Sequence, residues 1–240
     1  MGRWGCFCCK KSPKRLEIIY SYICVGGGEI SRFVSIEGGE GVGKSLFINH
    51  LADDLTARRI PFIKTREPGG TPSADLIRGL FGAPPADDPF CMMTEALLIS
   101  AARAQHVEKV IRPALKSRTW VICDRYADST RVYQGIIGGV PASEIESVIA
   151  ISTGRLTPDV TFLLDCDVEL AASRRQQRGG QDDAIKRYDD KKLEFHERLR
   201  QGYLTLAKQF PERFKVIDAS QNPPAVAAEA IKTLVVRFGL

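Results

Sequence analysis

Gly38, Gly43, Lys44 and Ser45 stand in the spacing G-x-x-x-x-G-K-[ST], inside the run Glu37-Gly38-Gly39-Glu40-Gly41-Val42-Gly43-Lys44-Ser45. The chemistry such a run serves is the cradling of phosphates. Glycines lack the Cβ that would keep backbone N–H groups away from phosphate oxygens, and the helix that follows adds its positive N-terminal dipole. Lys44 then sets a point charge against the β- and γ-phosphates, and the Ser45 hydroxyl is placed to ligate Mg²⁺. Gly38, Gly39, Glu40, Gly41, Val42, Gly43, Lys44 and Ser45 are the expected ATP-binding residues. Two other stretches carry charge into the same region. Thr65-Arg66-Glu67-Pro68-Gly69-Gly70-Thr71 puts a charged pair before a turn, and Val121-Ile122-Cys123-Asp124-Arg125-Tyr126 puts a carboxylate after an apolar run. A carboxylate there holds Mg²⁺ through water in enzymes that move phosphoryl groups, and the arginine beside it suits a bidentate grip on phosphate. Ser45, Asp124 and Glu67 form the expected metal set.

Positioning these residues needs strands that end where they begin. Candidate strands are Phe33 to Ile36, Phe62 to Thr65, Trp120 to Cys123, Val160 to Leu164 and Phe214 to Ile217. Helical stretches at 45–58, 89–116, 142–152, 168–178, 187–209 and 223–238 separate them, with Asp88-Pro89 as the start signal of the second. Alternating strands and helices argue for an α/β fold, a five-stranded parallel sheet covered on both faces, with ligands outside the carboxyl ends of its strands.

At 240 residues and 44% hydrophobic content the chain fills one such domain, expected over residues 31–240. The charge of +5 is uneven: residues 1–32 hold six basic and two acidic residues, so the body carries about +1 and no nucleic-acid partner is expected. No run reaches the 18 or so apolar residues of a membrane span, so no membrane partner is expected either. Residues 1–30 read as an N-terminal extension, expected to be disordered. They lack the Ser or Thr of a myristoylation signal, while palmitoylation of Cys6, Cys8 or Cys9 and an upstream start both stay open. The seven cysteines have no zinc spacing and suit a reducing cytoplasm, with Cys123 and Cys166 as buried small hydrophobes.

The P-loop run, Thr65 to Thr71, Ala102-Arg103-Ala104-Gln105-His106, Asp124-Arg125-Tyr126 and Ser129-Thr130-Arg131-Val132-Tyr133-Gln134-Gly135, in that order, resemble the bacterial thymidylate kinases over about residues 32–238. The resemblance implies a P-loop NTPase fold with a short LID, a homodimer, and Mg²⁺-dependent transfer of the ATP γ-phosphoryl group to dTMP, giving dTDP on the way to dTTP. It implies that Glu40 lies near the sugar 3′-hydroxyl, Arg125 on the dTMP phosphate and Arg103 on the thymine edge. Thr130, Tyr133 and Gln134 line the base and sugar pocket, and Arg66 belongs to the same substrate site. Ile99 stands where many members carry a phenylalanine that stacks on thymine, which gives up about 0.5–1.5 kcal/mol of aromatic contact. Arg174 joins the ATP site. Arg178 first, and Arg187 after it, supply the LID's catalytic charge beside Lys44 and Asp124, flanking Gly179-Gly180 and 181–186.

The attacking phosphate is already anionic, so no strong base is needed, and His50, His106 and His196 are read as non-catalytic. A kinase of another nucleotide or of a deoxynucleoside is the nearest rival. A nucleotide-dependent switch that binds partners is the rival of another class; its GTPase form would carry an Asn-Lys-x-Asp stretch, which the sequence lacks.

Overall fold

A computed structural model describes residues 30–177, 188 and 191–240. The expected extension lies outside the described residues apart from Ile30, as do Arg178, Arg187 and the segment between them. Five parallel strands, β1 (Phe33–Glu37), β2 (Phe62–Arg66), β3 (Trp120–Asp124), β4 (Val160–Asp165) and β5 (Phe214–Asp218), form one sheet in the order β2-β3-β1-β4-β5. Every strand expected from the sequence is present, each running one residue further at its carboxyl end.

Alternation along β1 assigns its two faces. Val34 and Ile36 pack with Phe47, Leu51 and Leu55 of α1 (Lys44–Ala57) and with Val226, Ala230 and Leu234 of α9 (Pro223–Phe238). Phe33 points the other way, into a cluster with Val121, Cys123, Tyr126, Ala96, Val107, Ile145 and Ile149. That face is covered by α3 (Met92–His106) and α6 (Ala142–Thr153). A third cluster joins Val132, Tyr133 and Leu163 to Leu199, Tyr203 and Leu206 of α8 (Leu193–Gln209). Cys123 and Cys166 are buried, as expected.

The helices depart from expectation in three places. α3 begins at Met92 with Cys91 as its N-cap, so Asp88 and Pro89 precede the helix instead of starting it. It continues through a π-helical stretch, Val107–Ile111, into α4 (Arg112–Lys116). A helix absent from the expectation, α2 (Pro72–Gly82), starts at Thr71, whose side chain accepts from the Ala74 N–H. The segment after β3 is also helical, as α5 (Ala127–Thr130) and a π-helical stretch, Arg131–Ile137, closed by a bond from Gly138 N–H to Tyr133 O. α7 (Val168–Gln177) follows β4, and α8 starts at Leu193 among the described residues.

Candidate active site

The glycine-rich loop leaves the end of β1 and turns into α1 at Lys44, so its N–H groups and the helix N-terminus face one point. Gly38 has φ +136°, and a Cβ there would stand 2.6 Å from Leu164 O, so the close approach to β4 requires glycine. Lys44 Nζ donates to the carbonyls of Gly38 at 3.2 Å and Gly39 at 2.8 Å. Burial and the neighbouring Arg125 lower its pKa, while Asp124, Glu40 and Glu37 act to raise it. Arg175, on α7, donates from Nη1 to Glu40 O at 3.0 Å and pins the loop. Sequence reasoning pointed to Arg174 and Arg178 and missed Arg175.

Asp124 ends β3, paired in register with Ile36 of β1, and its Oδ1 is buried with no hydrogen-bond partner among the described residues. A carboxylate oxygen in that state, with the Ser45 hydroxyl at the first turn of α1, fits Mg²⁺ held partly by phosphate oxygens. Glu67, also expected in that set, has its carboxylate buried and engaged on both sides, by Arg103 Nε at 2.7 Å and His106 Nδ1 at 3.0 Å, so in this structure it anchors an arginine.

Around Arg125 a buried network forms. Arg125 sits at φ +66°, with its N–H on Ile36 O, which turns its side chain back toward the phosphate cradle. Its guanidinium reaches Glu40 Oε1 at 2.9 Å, Tyr203 OH at 3.0 Å and Ser129 Oγ at 3.2 Å. Tyr133 OH donates to the same Glu40 oxygen at 2.5 Å. Burial alone would raise the Glu40 carboxyl, but Arg125 and Lys44 outweigh it and hold it below the ordinary carboxylate range. Glu40 Oε2 is left with no hydrogen-bond partner among the described residues, 3.9 Å from His196 Nδ1. Beneath lies Glu37, fully buried, which accepts from the Tyr126 N–H at 2.8 Å, Ser129 Oγ at 2.7 Å and Tyr203 OH at 3.0 Å. Burial, with Asp128 adding to it, pushes its carboxyl up to about 7. Neither Glu37 nor Tyr203 carried a sequence signal.

Further along, α3 faces the helix after β3. Arg103, 1% exposed, donates from Nη2 to Thr130 Oγ1 at 3.0 Å and to Tyr126 O at 3.3 Å, while Nη1 is buried with no partner among the described residues. Ile99 is buried one turn before Arg103 on the same face. Gln134 is buried one turn after Thr130. Arg66 stands apart at the mouth, 58% exposed along its side chain and 3.5 Å from Asp75. On the other side of the P-loop, Arg174 borders a cleft of about 360 Å³ lined by Val42, Gly43, Phe47, Gln177 and Pro223, and is fixed by Ala219 O at 2.7 Å.

A parallel sheet with a phosphate cradle after β1, and an arginine-lined crevice beside it at the carboxyl ends of the strands, defines a P-loop enzyme built to join two phosphate-bearing substrates. Comparison with known proteins narrows the class. The family model for thymidylate kinase matches residues 36–230. A thymidylate kinase of Caulobacter vibrioides is 47% identical over 208 residues, 87% of this chain and 98% of that protein. One from Chromohalobacter salexigens is 44% identical over 207 residues, 86% and 96% of the two. The crystal structure of thymidylate kinase from Ehrlichia chaffeensis superposes with a TM-score of 0.67 at 31% identity, covering 85% of this chain and 99% of that one. The chain belongs to the thymidylate kinase family.

Proposed function

We propose that this protein transfers the γ-phosphoryl group of ATP to dTMP, giving dTDP and ADP, as a step in supplying dTTP. The observation that carries the reading is a bridge: Glu40, a residue of the phosphate cradle, grips Arg125 and Tyr133 of the neighbouring crevice, so donor and acceptor sites share one wall. A dTMP oxygen attacks the γ-phosphorus, the bond from γ-phosphorus to the bridging oxygen of ADP breaks, and ADP leaves. Negative charge spreads over the transferred oxygens meanwhile, so the protein's work is alignment and electrostatic stabilisation.

Arg125 takes the dTMP phosphate, with Arg66 at the mouth of the crevice. The spare oxygen of Glu40 receives the 3′-hydroxyl, and Tyr133, hydrogen-bonded to that carboxylate, leaves no room for a 2′-hydroxyl. Ile99, Arg103, Thr130 and Gln134 surround the base. Lys44 and the backbone N–H groups of Gly38 to Ser45 hold the β- and γ-phosphates, and the adenine rests in the cleft beside Arg174. Ser45 and, through water, Asp124 would hold Mg²⁺, which when bound would neutralise phosphate charge. Arg178 and Arg187 deliver the LID's positive charge; both lie outside the described residues. No helix among the described residues is long and apolar enough to cross a membrane, and the reading places the enzyme in the cytoplasm.

The enzyme works as a homodimer. Leu76 and Leu80 on α2, Leu97 on α3 and Ile151 on α6 are 78%, 50%, 52% and 83% exposed, on helices that pack side by side. Large aliphatic groups gathered on adjacent helices mark an interface. Phosphorus NMR of ATP, Mg²⁺ and dTMP with the protein tests the reaction: new resonances of dTDP grow in step with those of ADP, whereas ADP with free phosphate and no dTDP contradicts it.

A further inference from the structure

Glu95 lies outside the residues that surround the base, yet it is fully buried one turn before Ile99. Glu95, Ile99 and Arg103 follow at i, i+4 and i+8, so they share one face of α3, spread over about 12 Å. That face opposes Thr130 and Gln134 in antiparallel order. Arg103 pairs with Thr130 at one end, and Gln134 Nε2 donates to Glu95 Oε2 at 3.2 Å at the other. Tyr188 OH donates to the same Glu95 oxygen at 2.9 Å. The Tyr188 ring is itself fixed, stacked on Phe195 with centroids 5.7 Å apart and set against Tyr133 at 5.0 Å.

The chemistry of this ladder has a direction. An ionised carboxylate accepts hydrogen bonds and cannot donate them, so an amide facing Glu95 must present its NH₂ group there. Its carbonyl oxygen then points away, and Gln134 Oε1 is indeed buried without a hydrogen-bond partner among the described residues. At the Arg103 end the unpartnered atom is a donor, Nη1. The two unpartnered buried atoms are thus one donor and one acceptor, flanking the stretch of α3 that carries Ile99. A 2,4-dioxopyrimidine answers with its O4 acceptor and N3–H donor; a 4-amino pyrimidine carries an NH₂ and a bare N3 at those places, opposing both.

We propose that Glu95, steadied by Tyr188, is a positioning residue that fixes the orientation of the Gln134 amide and so selects dioxopyrimidine over aminopyrimidine nucleotides. The inference rests on the proposed dTMP kinase activity and deepens it, because it moves the discrimination to a residue that touches no substrate. It also accounts for base selection at a site where Ile99 provides no ring to stack on the base.

dTMP and 5-methyl-dCMP differ at the 3,4-edge alone, whereas dTMP and dUMP share that edge and differ in the methyl group. Initial rates with each acceptor are measured for the native enzyme, for Glu95→Gln, whose amide can face Gln134 with either end, and for Tyr188→Phe, which removes one hydroxyl. The native enzyme prefers dTMP over 5-methyl-dCMP in kcat/KM by about a thousandfold or more, as expected where buried polar groups face the wrong edge. Glu95→Gln lowers that ratio about tenfold or more, mainly through KM, and Tyr188→Phe lowers it about threefold, while the dTMP to dUMP ratio holds within twofold in both. Equal losses on dTMP and 5-methyl-dCMP overturn the proposal and leave Glu95 as a packing residue. Should Glu95→Gln fail to fold, the ratio in Tyr188→Phe decides, and no change there is likewise fatal. A native enzyme inactive on dTMP refutes instead the kinase reading on which the inference stands.

Discussion

Lys44 hydrogen-bonds carbonyls of its own loop, and in the proposed reaction phosphate oxygens of ATP take their place. Lys44→Ala therefore removes a charge used in transfer while leaving the core packing untouched. We expect kcat to fall about a thousandfold with the melting temperature within a few degrees of native, checked by coupled ADP release and calorimetry. Glu37 gives a prediction in pH. Its folded pKa of about 7 lies above the ordinary 4.5, so the fold favours the protonated form. The stability this contributes is complete below about pH 4.5 and is lost as pH rises through about 7. Across that window Tm of the native protein should fall relative to Glu37→Gln, and parallel Tm curves for the two would contradict the assignment. At this scale the P-loop and Asp124-Arg125 were legible because each is contiguous in sequence. Glu37, Glu95, Arg175 and Tyr203 were not, because each acts across elements, Tyr203 from 166 residues away on Glu37.

Among the elements, the turn between β2 and α2 carries the tightest constraint on the acceptor side. Gly70 lies at φ +85°, and a Cβ there would stand 2.6 Å from His106 Cδ2 and 2.8 Å from Thr65 Oγ1. The ring resists displacement, since Glu67 holds Nδ1 at 3.0 Å and Thr65 holds Nε2 at 2.6 Å. Gly70→Ala should cost about 2–4 kcal/mol in urea unfolding and raise the KM for dTMP, because the displaced ring disturbs the Glu67 carboxylate that orients Arg103. An unchanged unfolding midpoint would contradict this. His106, expected to be non-catalytic, is in that sense a support for the base pocket. The strands were legible from their apolar runs and following turns. α2 was not, although Thr71-Pro72 is a start signal, because the preceding Pro68-Gly69-Gly70 reads as a loop that continues. The helix after β3 was hidden for a related reason: Asp128, Thr130 and Gln134 interleave with Ala127, Val132 and Tyr133 on its buried face, so it lacks a clean apolar period.

Considered whole, the candidate site lies at the carboxyl ends of the strands, and α2, α3 and α6 carry some of the most exposed aliphatic groups among the described residues. Because Glu95, Ile99 and Arg103 lie on α3 with Leu97 on the same helix, the proposed subunit contact and the proposed base recognition share one element. If the proposed dimer forms through these helices, Ile151→Glu should convert it to monomers in sedimentation velocity, and a native protein that already sediments as a monomer would contradict the proposal. The fold class and sheet were legible from the sequence because strand and helix periods are local, whereas the exposed aliphatic groups of the proposed interface come from three helices separated in sequence. Phosphorylation of dTMP in this crevice is tested by coupled ADP release from the native protein with ATP and Mg²⁺, comparing dTMP, dUMP, dCMP, dGMP, AMP and thymidine as acceptors. The expected result is the highest kcat/KM for dTMP, no turnover of thymidine, and little ADP without an acceptor. Equal rates across the monophosphates, or ADP release that needs none of them, would contradict it.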